Sequence, residues 1–477
     1  MSRLVTFTIY SVVGLMMLGL AGCLSDPVPI ELKAQLPKAF SQSGQTALPD
    51  KWWEDFDDDS LNTLIELAME TNPSLLATWD RLRQAEALLV REGASRFPAL
   101  NGNMNASRSR DNNDLETDRF ALSLTVAYEL DLWGRIRANT TAAHFDAMAS
   151  HTDVRAAGIT LSGEIAKTWY RLIEQRGQLD LLEQQIMTNK KVLHLVTLRF
   201  RQGVASAADV LRQRQLIEQT QGETKDVIAG IDVLSHQLAI LLGHPPRSIN
   251  FPKHDLLITL PPLPNTGLPA DVLQRRPDVL GNFYQVQAAD ARIAAAIAER
   301  FPRIDLTGAL ATNITSTLSG GSFAATPAGL FSSWLATVAA QVVAPIIDAG
   351  ARAAEVDRQE AIRSEALNNY ESTVLQAMRE VEDALIRETQ QREKTLSLER
   401  QLQLATQVIE RLRGRYVQGA TDFLDVLNAL ISQQGLEREI LEARRNLIDF
   451  RVDLARALAG GWELNQPELR ELTPSAG

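Results

Sequence analysis

Proline is missing from residues 132–244 and from residues 346–466, although the chain carries 19 prolines in 477 residues. These two tracts hold 113 and 121 residues, about half of the chain. A proline costs about 3 kcal/mol inside a helix. Long proline-free tracts rich in Ala, Leu, Gln, Glu and Arg therefore point to long helices. Apolar residues keep helical spacing in both: Ile165, Trp169, Leu172, Leu179, Ile186 and Leu193 in the first, and Leu375, Met378, Val381, Leu385, Leu402, Val408, Ile409 and Leu412 in the second. That is the stripe of a helix packed against neighbours. A helix of about 60 residues spans roughly 90 Å, so each tract has room for one longer and one shorter helix. Residues 245–269 hold seven prolines and read as an extended connector.

The chain repeats itself. Arg96-Phe97-Pro98 returns as Arg300-Phe301-Pro302, 204 positions on, and Asn72-Pro73-Ser74-Leu75 matches Arg276-Pro277-Asp278-Val279 at the same offset. Further along, the offset becomes 216. Glu164-Ile165 aligns with Glu380-Val381, Arg171 with Arg387, and Gln175-Arg176 with Gln391-Arg392. Arg199-Phe200-Arg201-Gln202-Gly203 returns as Arg415-Tyr416-Val417-Gln418-Gly419, and each is followed by Asp-Val-Leu at 209–211 and 425–427. Ordered matches on two constant offsets make a tandem duplication. The 12 extra residues of the second copy fall between its Arg-Phe-Pro and its long helices, where the small residues of 319–329 suit a longer loop.

Between the helical parts lie four alternating segments. Leu100, Met104 and Ala106 alternate with Asn101, Asn103, Asn105 and Ser107; Leu122, Leu124, Val126, Tyr128 and Leu130 alternate with Ser123, Thr125 and Glu129. Ile304, Leu306 and Leu310 alternate with Asp305, Thr307 and Asn313, and residues 334–343 form the fourth segment. Period-two alternation gives a strand with one apolar and one polar face. On their own such strands fit a half-buried hairpin, and they also carry the weak signature of a membrane barrel.

The N-terminus decides between these. Arg3 precedes an apolar run at 4–22, the pattern of a secretory signal. A retained membrane anchor is the alternative, but Leu20-Ala21-Gly22-Cys23 resembles a lipobox, and Cys23 is the only cysteine in the chain. Cleavage at 1–22 would leave Cys23 as the lipidated first residue, and several acyl chains anchor firmly. Leu24, rather than Asp, is compatible with the outer membrane. One cysteine excludes an intrachain disulfide and a multi-cysteine zinc site. A net charge of −11 argues against a general nucleic-acid binder. A mean hydropathy of −0.11 argues against a polytopic helical membrane protein. With a lipid anchor and no evident globular core for the hairpins, the barrel reading gains. Four strands cannot close a membrane barrel, which needs about eight or more, and open edges in lipid are not viable. Several protomers must then share one barrel.

This constellation resembles the outer-membrane channel proteins of bacterial efflux systems, the TolC superfamily, and within it the NodT-like lipoprotein branch. The resemblance covers essentially the whole mature chain. Its carriers are the lipobox; Trp52-Trp53-Glu54-Asp55-Phe56 leading to Leu61, Asn62, Leu64 and Ile65; Arg275-Arg276-Pro277-Asp278-Val279; the run Glu380-Val381-Glu382-Asp383-Ala384-Leu385; and the two Arg-[Phe/Tyr]-x-Gln-Gly turns. It implies a mainly α fold with a small β part. Three protomers with four strands each would form a 12-stranded outer-membrane barrel above a periplasmic tunnel of long helices. The segments become a signal at 1–22, a lipidated extended segment at 23–50, a first repeat at 51–244, the connector at 245–269, a second repeat at 270–462 and a tail at 463–477. The implied partners are a second and third copy, outer-membrane lipid, a periplasmic adaptor (membrane fusion) protein and an inner-membrane transporter of the resistance-nodulation-division type. The implied function is passive conduction of drugs or other small toxic compounds to the exterior, with no cofactor and no metal.

The resemblance also assigns roles to the two glycine turns. Gln202, Gly203, Val204, Ala205 and Ser206, with Gln418, Gly419, Ala420 and Thr421, would be the tips on which the adaptor docks. Tyr416 and Asp425 would belong to the periplasmic gate, Asp425 as part of a carboxylate ring that favours cations. Two departures stand here: Asn428 where some members have a second ring carboxylate, and Thr421 where some have a locking arginine. A third is Asp348-Ala349-Gly350-Ala351-Arg352, where paired glycines are frequent, read as a tolerated change at a strand-to-helix junction. No catalytic constellation appears: the six histidines are scattered, and no phosphate loop, dinucleotide fingerprint or nucleophile elbow is present. A type I protein-secretion conduit and a pore-free structural periplasmic lipoprotein are the alternative readings.

Overall fold

The computed structural model describes residues 36–110, 116–252, 256–318 and 334–458. The signal, Cys23, the glycine-rich part of 319–329 and the tail at 463–477 lie outside the described residues. Contacts divide the chain after Gln35, and the fold below is that of the unit starting at Leu36.

Eight helices and four strands make up this unit among the described residues. A short 3₁₀ turn at Trp52–Phe56 precedes α1 (Asp59–Thr71) and α2 (Pro73–Ala94). The hairpin β1 (Ala99–Arg110) and β2 (Glu116–Leu130) follows. Then come α3 (Arg135–Arg201) and α4 (Ala207–Leu241). The second copy runs α5 (Pro269–Arg275), α6 (Pro277–Ala298), β3 (Arg303–Leu318), β4 (Leu335–Val343), α7 (Ala351–Val417) and α8 (Phe423–Leu458). Each proline-free tract thus holds one long and one shorter helix joined at its Gln-Gly turn. Both long helices have 67 residues, or roughly 100 Å at about 1.5 Å per residue. No described helix is both long and apolar enough to cross a membrane.

Local chemistry sets the ends. Asp58 and Asn72 accept from the backbone amides of Leu61 and Leu75, capping α1 and α2. Pro73 and Pro277 stand at the first helical positions of α2 and α6, where a missing amide costs nothing. Gly134 and Gly350, with φ of 78° and 87°, turn the chain from strand into α3 and α7. Ala349 just before the second elbow also lies at positive φ, 51°. The bend that paired glycines would make is kept with an alanine in a costly conformation.

The main core gathers Trp52, Trp53, Phe56, Leu61 and Ile65 against Ile165, Trp169, Tyr170, Leu172 and Ile448. Trp52 Nε1 donates to Ser162 Oγ at 3.1 Å and Trp169 Nε1 to Asp58 Oδ2 at 2.9 Å. The Trp-Trp motif is therefore a packing element. α3 packs along α2, α4, α6 and α8, and α7 along α6 and α8. Of the apolar stripe on α7, Met378, Val381, Leu385 and Ile409 are buried, whereas Leu375 and Val408 are exposed. The stripe is therefore only partly covered by the described residues.

Two charged motifs meet in the second copy. Arg276 pairs with Asp278 at 2.7 Å and with Glu380 of α7 at 2.7 Å. Arg451 on α8 forms a bidentate pair with Glu388 on α7, at 2.6 and 2.8 Å. Its Nη1 also donates to the carbonyls of Pro261 and Pro262, pinning the proline-rich connector. Both partners are buried. Further along, the α3–α8 contact carries buried amides. Gln185 Nε2 donates to the Gln434 carbonyl at 3.1 Å, and Gln434 Nε2 to Asn189 Oδ1 at 3.1 Å.

The strands form one antiparallel sheet in the order β1-β2-β3-β4. Its register reproduces the repeat: Ala99 pairs with Ala127, and moving these by 204 and 216 gives the observed pair Arg303 and Val343. The offset therefore changes between β3 and β4.

Candidate functional site

Two regions of this frame hold the residues that the sequence singles out: the sheet and the helical tips.

Pairing places Leu100, Val126, Gly308 and Val338 in one row across the sheet, and Gly102, Leu124, Leu310 and Ala336 in the next. Tyr128, Leu306 and Ala340 continue this face, as do Leu130, Ile304 and Val342. The opposite face reads Asn101, Thr125, Ala309, Thr337 in one row and Glu129, Asp305, Gln341 in another. One face is thus apolar across all four strands, and the other is largely polar, with Leu335 and Val343 of β4 as exceptions. Arg108 and Asp118 pair at 2.7 Å and mark one end of the apolar band. At the other end the Trp133 and Phe301 rings stack with centroids 4.8 Å apart, and Trp133 Nε1 donates to the Pro302 carbonyl at 2.7 Å. An apolar band bounded by aromatic side chains and charges fits a bilayer-facing surface. Among the described residues, strands β1 and β4 each keep one edge unpaired.

At the tips, Gly203 and Gly419 share a φ of 76°. After each, the chain folds back onto the last helical turn: Val204 N donates to Arg199 O at 2.9 Å, and Ala420 N to Arg415 O at 2.9 Å. These are left-handed glycine caps. Ser206 and Asp209 form a capping box at the start of α4, and Asp209 also pairs with Arg212 at 3.3 Å. The second copy is wired differently. Thr421 Oγ1 donates to Asp425 Oδ2 at 2.8 Å, and Asp425 and Asn428 are exposed. Gln202, Val204, Gln418 and Ala420 are exposed at the turns, while Ala205 and Thr421 are half-buried and Ser206 caps α4.

Tyr416 does not face solvent. It is buried with Val196, Ile409, Phe423, Val426 and Leu427, its ring 5.6 Å from that of Phe423. Burial is the main reason its phenol is held above the ordinary value; the Asp209 charge adds to this and Arg199 opposes it. Among the described residues its hydroxyl has no hydrogen-bond partner. The sequence reading missed Arg199. Its guanidinium lies 4.5 Å from the Tyr416 ring centroid, and its Nη1 donates to the Val417 carbonyl at 3.2 Å, so one copy's tip is fastened to the other's. The repeat-equivalent Arg415 instead donates to Ala420 O in its own turn. The signal was present in the duplicated Arg-[Phe/Tyr]-x-Gln-Gly motif, whose arginine went unread. Among the described residues no group of three or more potential metal ligands comes together.

Comparison with known proteins bears on the chain as a whole. Residues 64–244 and 268–460 match the family described as outer membrane efflux protein. The chain is 30% identical over 462 residues to the solvent efflux pump outer membrane protein SrpC of Pseudomonas putida, covering 91% of this chain and 94% of that one. It is 29% identical over 473 residues to the pyoverdine export outer membrane protein OpmQ of Pseudomonas putida, covering 94% and 97%. Among solved structures, that of CusC superposes with a TM-score of 0.82 at 25% identity, covering 92% of this chain and all of the other.

Proposed function

Since the chain belongs to the outer membrane efflux protein family and is an outer-membrane channel of efflux pumps, we propose that three copies share one 12-stranded barrel and work as the exit duct of a tripartite pump. The observation that carries this is the four-stranded sheet, apolar on one face and open at both edges. Membrane barrels need about eight strands or more, and unpaired edges cannot stand in lipid. Three copies are the arrangement that the family resemblance implies.

The lipobox supports acylation at Cys23, which would tether each protomer to the outer membrane. The glycine-capped tips at 202–206 and 418–421 are the surfaces we assign to a periplasmic adaptor, itself coupled to an inner-membrane transporter of the resistance-nodulation-division type. Asp425 is exposed beside the tip, where three copies would set three carboxylates around a narrow opening. Such a ring attracts cations. The Thr421 hydroxyl on Asp425 would hold this carboxylate in place of a locking arginine. The relatives named for solvents and for pyoverdine carry unlike cargo. This fits a duct that leaves selection to the transporter, and drugs or other small toxic compounds are the cargo we assign.

The test is conductance of the purified mature protein in planar bilayers, beside its Asp425→Ala variant. The parent should form cation-selective pores that multivalent cations block. Asp425→Ala should conduct with weaker selectivity and weaker block. A parent that forms no pores would leave only the pore-free reading.

A further inference from the structure

We propose that a second copy of this chain pairs its β1 with β4 in one fixed register, with Ile346 opposite Leu100 of the next protomer and Val342 opposite Met104 of the next protomer. This rests on the reading above that protomers share one sheet, and it goes beyond that reading by fixing which residues meet.

The argument starts from the duplication. The two hairpins are related by 204 on their first strands and 216 on their second: Ala99 with Ala127 becomes Arg303 with Val343. The contact between copies within one chain is β2 with β3, where Leu130 faces Ile304 and Val126 faces Gly308. In a closed ring of repeats, the next contact of this kind joins β4 of one chain to β1 of another. Moving the β2 partner forward by 216 and the β3 partner back by 204 turns Leu130–Ile304 into Ile346–Leu100, and Val126–Gly308 into Val342–Met104. The same operation sets Gln341 opposite Asn105 and Ala340 opposite Ala106.

Three observations agree with the derived register. First, parity holds: Leu100, Met104 and Val342 all lie on the apolar face of the sheet, so each face of the sheet continues across the new seam. A slip of one residue would turn apolar side chains into the polar lumen. Second, the four residues are strongly exposed in the single chain: Ile346 90%, Leu100 67%, Met104 72% and Val342 59%. Paired, they would form two apolar cross-strand contacts. Third, Ile346 lies beyond the last residue of β4 that pairs with β3, Val343. Its repeat counterpart Leu130 is still paired, with Ile304. The seam would therefore extend β4 to the length that β2 already has.

The experiment uses the full lipoprotein in its outer membrane. Two double variants, Ile346→Cys with Leu100→Cys and Val342→Cys with Met104→Cys, are compared with the offset pair Ile346→Cys with Met104→Cys. Directly opposed residues have Cβ atoms about 4.5–5.5 Å apart, whereas the offset pair is about 13 Å out of register along the strand. Mild oxidation, or a short reagent that bridges two thiols, followed by non-reducing electrophoresis, should move both matched pairs from monomer to dimer and trimer bands. The offset pair and each single variant should stay monomeric. Bilayer conductance of each variant checks that it has assembled. If the offset pair links instead, or no pair links while an amine cross-linker still captures trimers, the register is wrong and the shared barrel stands. Monomers under every reagent, without conductance, overturn the shared barrel as well.

Discussion

Arg451 carries its charge into the packed interior, where Glu388 takes two of its hydrogen bonds and the Pro261 and Pro262 carbonyls take two more. Such a pair is costly to break, because the remaining charge is left buried and unpaired, at about 3–5 kcal/mol. Arg451→Ala should therefore lower the melting temperature of the purified protein sharply and loosen the connector at 256–264. Adding Glu388→Leu should recover much of the loss. An unchanged melt for Arg451→Ala alone would mean that the pair contributes little. Nothing in the sequence marks Arg451: it is one arginine among several on α8, and Arg444 and Arg445 are of the same type. Burial of a charge depends on partners from other elements, and a single helix does not name them. Tyr416 is the opposite case, since the repeat singled it out, but its environment came only from packing. Its raised pKa favours the neutral phenol in the folded tip. That contribution is fully present below the ordinary tyrosine pKa, near 10, and is lost as pH rises through the raised value. Among the described residues its hydroxyl has no partner to lose. Tyr416→Phe should thus melt with the parent at pH 8 and above it at pH 11. A variant that loses stability at pH 8 would point to a partner for the hydroxyl in the assembled protein.

At the scale of elements, the two long helices were legible because proline, glycine and apolar spacing act locally. Their ends were legible too, from Gly203 and Gly419 and from the capping residues. What could not be read was which part of each apolar stripe is covered within the chain, as Leu375 and Val408 show. The strand-to-helix elbows expose a difference between the copies. In the first, Asp131 accepts from the amides of Ile136 and Arg137, and Gly134 alone takes positive φ. In the second, Asp348 accepts from the amides of Gly350 and Arg352, and Ala349 joins Gly350 at positive φ. An L-residue there costs about 1–2 kcal/mol, partly offset by the entropy of a glycine, about 0.5–1 kcal/mol. Ala349→Gly should raise the apparent melting temperature slightly, by up to about 1 kcal/mol in stability. Ala349→Val should lower it, since a branched side chain fits positive φ poorly. Opposite signs for the two variants are the signature of backbone strain; equal losses would indicate packing instead.

At the scale of the whole molecule, the sheet is where one residue of sequence separates two solvents. Leu124 stands in the apolar row with Gly102, Leu310 and Ala336, and Thr125 stands in the polar row with Asn101, Ala309 and Thr337. The alternation alone could not say whether the apolar face meets a protein core or lipid, because both bury apolar side chains. Among the described residues, no helix packs substantially against the sheet. In the shared barrel proposed above, the apolar face would meet lipid and the polar face the channel interior. Leu124→Arg places a charge near the middle of the apolar band, which costs about 2–4 kcal/mol for each copy at the bilayer midplane. The cost is incurred three times in a trimer. This variant should fail to accumulate in the outer membrane, as read by membrane fractionation. Thr125→Arg adds the same charge one position along and on the other face. It should reach the membrane at parental levels, conduct in bilayers, and shift reversal potentials toward anion selectivity, since three added cations would line the lumen. If both variants accumulate alike and neither changes selectivity, the two faces are not divided between lipid and channel.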